Sequence, residues 1–155
     1  MEKENKIIDL LDAIIPNLDT LLSDMHFWMT VAVLIGPILF LGMGALYYFA
    51  SPKEANHRMG YRTYFGMGSV PAWKYTQKLA GMVWGGLGVV MAVVAIIVAI
   101  VLGGKQPADA MSSALTMLIV EAVGALLAFL TIEITVFIRY DMNGNLKKKK
   151  GTASK

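Results

Sequence analysis

Two glutamates in otherwise apolar stretches, Glu121 and Glu133, and a dense basic and aromatic segment at residues 56–78 are where this sequence could do chemistry. The segment reads Asn56-His-Arg-Met-Gly60-Tyr61-Arg62-Thr63-Tyr-Phe-Gly66-Met-Gly-Ser-Val-Pro71-Ala-Trp73-Lys-Tyr-Thr76-Gln77-Lys78. Arg58, Arg62, Lys74 and Lys78 alternate there with Tyr61, Tyr64, Phe65, Trp73 and Tyr75. Aromatic rings favour the headgroup layer of a bilayer, and neighbouring Arg or Lys can reach lipid phosphates. Glycines in a Gly-Tyr-Arg-Thr turn expose backbone N–H groups, so an anion-binding concavity beside Arg62 is one reading. A short basic cytoplasmic loop with no binding role is the other.

An ionised carboxylate at the centre of a bilayer costs about 2.5–3.5 kcal/mol on insertion scales, so each glutamate must be protonated, wet or paired. Glu133 has a candidate partner in Arg62 or Lys78, with Thr131 and Thr135 beside it. Glu121 has no basic residue at its depth and is expected to be protonated or to line a polar cavity. It is then a proton carrier, a contact for a cationic peptide, or a neutral helix–helix hydrogen bond. Twelve residues separate the two glutamates, which puts them about 120° apart around a helix and argues against a catalytic pair.

No catalytic residue is assigned. The chain has no cysteine, its two histidines, His26 and His57, fall on opposite sides of the membrane, and no serine has a nucleophile context. No metal site and no cofactor are expected within one chain.

The elements that must hold these groups follow from composition. Of 155 residues 56% are hydrophobic and 16% charged, and the apolar residues come in unbroken runs. The fold class is an all-α membrane protein with three transmembrane helices preceded by an N-terminal amphipathic interfacial helix.

Residues 1–25 carry Ile7, Ile8, Leu11, Ile14, Ile15 and Leu18 on one stripe with acids elsewhere, and Pro16 should bend them. Spans are expected at about 27–50, 79–102 and 111–138, within a domain of residues 26–140. Gly36-Pro37 should kink the first span. Gly81, Gly85 and Gly88 give the second a small-residue stripe for close approach by another helix, in this chain or in a second copy. Residues 51–78 form the connecting motif loop, and residues 141–155 form a polybasic flexible tail.

Charge sets orientation. Of fourteen Lys and Arg, five lie in residues 53–78 and six in residues 139–155, while six of eleven acids lie in residues 2–24. The positive-inside rule puts the loop and tail in the cytoplasm and the N-terminus outside. Four tail lysines alone would bind nucleic acid only weakly and without specificity.

Asn56-x-x-x-Gly60-Tyr61-Arg62-Thr63, Trp73 ten residues on, and Gln77-Lys78-x-x-Gly81 resemble the signature of the SdpI family of small bacterial membrane proteins. The resemblance covers about residues 48–90. It marks Asn56, Gly60, Tyr61, Arg62, Thr63, Trp73, Gln77 and Lys78 as the motif. The chain departs from it at Gly66, where a serine is usual, and at Thr76 and Gln77, where alanine and asparagine are common.

The resemblance implies a multi-pass protein of the bacterial cell membrane that gives immunity to a secreted antimicrobial peptide or toxin. It implies that such proteins sometimes also tether a transcriptional regulator. Expected partners are therefore a peptide toxin, phospholipid headgroups, a cytoplasmic regulator and a second copy of the chain. A small proton-coupled transport or lipid-handling component is the alternative that Glu121 suggests.

Overall fold

A computed structural model describes residues 18–55 and 58–147. They form three long helices, α1 (Leu18–Phe49), α2 (Val70–Leu102) and α3 (Pro107–Arg139). Within these, Asp24–Phe49, Val70–Leu102 and Asp109–Arg139 are long and apolar enough to cross a membrane. Hydrocarbon offers no partner for backbone N–H or C=O, so apolar runs of this length satisfy their own ladders as helices.

The proposed amphipathic segment falls largely on residues 1–17, outside the described residues. From Leu18 onward the chain is already α1, which continues without a break into the first span and through Pro37.

The glycine stripe of α2 is the face that α1 uses. A Cβ on Gly44 would stand 2.5 Å from the Gly85 backbone, one on Gly81 would stand 2.6–2.8 Å from Tyr48, and one on Gly88 would stand 2.7 Å from Leu41. The backbones approach so closely that no larger residue fits, and the close-packing partner of the stripe is in the same chain. Helix α3 lies across this pair, with Gly124 facing Leu87 and Met91.

The second helix begins nine residues before the expected position 79. Ser69 caps it, its hydroxyl oxygen accepting from Ala72 N–H at 3.2 Å, and Pro71 stands in the first turn, where a missing N–H costs nothing. The expected loop 51–78 is corrected accordingly. Trp73, Gln77 and Lys78 are helical, and the connection proper is residues 50–69.

Candidate functional site

The short connection folds back onto the first two turns of α2. Gly60 has φ +109°, a conformation that L side chains rarely adopt, and its Cα faces the Trp73 ring. That turn aims the Tyr61 backbone at Gln77. Tyr61 N–H donates to Gln77 Oε1 at 2.8 Å, and Gln77 Nε2 donates to the Tyr61 carbonyl at 2.6 Å. One side-chain amide thus satisfies both backbone groups of a buried residue, as a neighbouring strand would.

Trp73 is fully buried over this contact, and its indole N–H donates to the Pro52 carbonyl at 2.8 Å, closing the start of the connection onto α2. Thr63 is buried as well. Its Oγ1 accepts from Gly66 N–H at 2.7 Å in a tight turn, with Met67 N–H donating to the Thr63 carbonyl.

Position 66 has no room for a side chain. A Cβ there would lie 2.5 Å from both Thr63 Oγ1 and Thr76 Oγ1. The two departures from the motif noted above, Gly66 and Thr76, therefore meet in space: the α2 hydroxyl fills the volume that a loop serine would need.

The Tyr61 side chain points into the bundle. Its ring meets Tyr47 edge-on at 5.5 Å and lies 6.5 Å from Phe129. The hydroxyl is buried without a hydrogen-bond partner among the described residues. Burial, then the Glu133 carboxylate and Tyr47, push the Tyr61 hydroxyl well above the usual phenol range, so it stays neutral. Glu133 is thus brought to the motif, as a neighbour of Tyr61. Arg62 and Lys78 stand exposed on the surface with Lys74, while Glu121 lies elsewhere, against α1. Asn56 is outside the described residues.

The chain after α3 adds a part that the sequence does not announce. Instead of beginning a flexible tail, Asp141–Lys147 close a hairpin. Tyr140 and Leu146 pair as an antiparallel bridge, Asp141 N–H donates to the Asn145 carbonyl, and Lys147 N–H donates to the Arg139 carbonyl. Gly144, at φ +73°, makes the turn and packs on Gly68 and Ser69 of the connection. Ser69 Oγ donates to the Gly144 carbonyl at 2.7 Å while capping α2, so one hydroxyl ties hairpin, connection and helix together.

Two cations of the hairpin region lie on aromatic faces. Arg139 sits 4.4 Å from the Tyr75 centroid, and Lys147 sits 4.2 Å from that of Phe137. Residues 148–155 are outside the described residues.

Asp141 organises the hairpin. Its Oδ1 accepts from Asn143 N–H at 2.9 Å and Asn145 N–H at 2.8 Å. Hydrogen bonding from the Asn145 backbone, ahead of that from its side chain and from Asn143, holds the carboxyl below its ordinary value. A depressed acid stabilises the folded form above its unfolded pKa, and this stabilisation is lost as pH falls through the folded pKa. The Asn143 and Asn145 amide resonances should therefore keep their bonded positions until pH drops below the 3.8 of an unperturbed aspartate. Asp141→Ala should move them at neutral pH; unchanged resonances in that variant would contradict this role.

The bundle and its motif are matched together by a protein-family model, that of the SdpI/YfhL protein family, over residues 53–138. The chain belongs to this family. No curated protein and no solved structure matches it. In this SdpI/YfhL-family protein much of the motif is framework: Gln77 holds the backbone of Tyr61, Gly60 makes the turn before it, Thr63 closes the 63–67 turn and Trp73 ties Pro52 to α2. Arg62, the next residue after Tyr61, is exposed, and its charge acts on Tyr47 of α1. Residue types alone point to Gln77 and Trp73 but not to Ser69, Gly144 or Tyr47, whose roles depend on how the connection and the hairpin meet. The Ser69-Val-Pro71 helix start and the Asp141-x-Asn-Gly-Asn turn were the available signals.

Proposed function

We propose that this SdpI/YfhL-family protein gives a bacterial cell immunity to a secreted antimicrobial peptide or toxin, by binding in the membrane and not by catalysis. Family membership supports the reading, and the construction of the motif carries it: a packed frame fixes the backbone at Tyr61, next to the exposed Arg62, and Lys74 and Lys78 are exposed on the helix that carries Gln77. A rigid mount loses little entropy when its cation engages a carboxylate or phosphate. In this reading the N-terminus is outside, the motif and the hairpin face the cytoplasm, and the basic surface also meets phospholipid headgroups.

The test is survival of a sensitive bacterium expressing the protein when challenged with the peptide toxin encoded nearest to it. Wild type should protect, and Arg62→Ala, at matched membrane levels and with unchanged melting temperature, should lose most of that protection. Full protection by Arg62→Ala would remove the cation from the mechanism. No protection by wild type would overturn the immunity reading.

A further inference from the structure

The apolar core of the bundle is divided in two. One cluster, including Trp84, Ala128 and Ile132, fills the motif end, and another, including Val33, Ala95 and Met117, fills the opposite end. On α3 the members nearest the division are Met117 and Ala125, and Glu121 lies between them, one helical turn from each.

Glu121 is 5% exposed, and its Oε1 has no hydrogen-bond partner among the described residues. The carboxyl rests on Gly36 of α1, where an added Cβ would clash with Oε2 and stand 3.2 Å from Oε1. The next residue, Pro37, is buried inside α1 and has no N–H, so the carbonyl of Val33 lacks its α-helical donor. Glu121 Oε1 and, three residues before Gly36 on α1, the Val33 carbonyl are thus two acceptors that lack a donor among the described residues, while the unpartnered buried donor Trp84 Nε1–H belongs to the motif-end cluster.

We propose that Glu121, seated on the Gly36–Pro37 segment, is a proton-binding site whose occupancy sets how tightly α1 packs against α3. With the proton bound, the carboxyl is neutral and brings the donor that this region needs. With the proton lost, a carboxylate is left buried without a donor, and separation of the helices, which admits water, relieves it.

Among the described residues, no other titratable group bears on the site from its surroundings. Gly36 meets it from α1, with Val33 and Pro37 buried in the same segment, and Leu87 and Met91 of α2 reach α3 one turn away at Gly124. The nearest charged residues along α3, Asp109 and Glu133, are each twelve positions off, about 18 Å at 1.5 Å per residue. His26 is ten positions before Gly36 on α1, about 15 Å away.

The chain has no cysteine, so a spin-label pair can be placed at Trp28→Cys and Leu115→Cys, both on the groove between α1 and α3. In lipid vesicles, infrared difference spectra across a pH series would follow the protonated carboxyl stretch while the label pair reports the helix separation. Wild type should show a stretch at neutral pH that Glu121→Gln lacks and that disappears on alkalinisation, together with a longer and broader label distance. Glu121→Gln, which keeps a donor without the charge, should hold the short distance at every pH. Absence of a Glu121 stretch across the series would overturn the proposal, and so would a stretch that titrates while the wild-type distance stays constant. Neither result depends on whether the chain confers immunity.

Discussion

Gln77→Leu is expected to be among the most destabilising single changes in the protein. It leaves the Tyr61 N–H and carbonyl, now bonded to the Gln77 amide at 2.8 and 2.6 Å, without partners in a buried site. Each stranded backbone group costs about 1–3 kcal/mol. Leucine can fill the volume but cannot return either bond, so the two losses add within one residue. Gln77→Glu keeps an acceptor for Tyr61 N–H but, when ionised, turns a buried carboxylate on the Tyr61 carbonyl, and should destabilise at least as much as leucine at neutral pH. Thermal unfolding in detergent measures the series. A Gln77→Leu melting temperature equal to that of wild type would mean that the connection does not need this contact.

The second large effect is expected at Gly36. Alanine there puts a methyl group into the space held by the Glu121 carboxyl, and overpacking of this kind costs about 1–3 kcal/mol. The carboxyl is the far end of a flexible side chain and can give way, but only by leaving its seat on Gly36. Gly36→Ala should therefore cost an amount toward the lower end of that range. Glu121→Ala in the same chain should recover much of the loss, with a coupling of about 0.5–3 kcal/mol between the two sites. Additive effects in the double-mutant cycle would show that the side chains do not meet.

The three spans were legible because hydropathy alone decides them: long apolar runs have no other way to satisfy their backbones in lipid. That Glu121 needed accommodation, as a protonated acid or in a polar cavity, was legible for the same reason. Its seat on Gly36 was not, because periodicity gives the faces of a helix but not its register against a neighbour. The glycine stripe of α2 was readable as a close-approach face, while the choice between α1 and a second copy needed the coordinates.

In the motif, composition drew attention to the cations, yet the structure uses the uncharged residues to build and leaves Arg62 and Lys78 exposed. Polar and glycine-rich spelling hid the start of α2 at Ser69, although serine with proline two residues on is a recognised helix opening. The hairpin at 141–147 was hidden by the lysines that follow it. Its Asp and Asn-Gly are ordinary turn formers, but their docking partner, Ser69, is distant in sequence.

Hydrogen exchange at the Tyr61 amide tests most directly whether the motif is a packed frame that presents Arg62. In wild type this amide should exchange as slowly as those inside the helices, and in Gln77→Leu it should exchange at the rate of an open loop. Fast exchange of Tyr61 in the wild-type protein would contradict the account, because the frame on which the proposed recognition depends would then not be held.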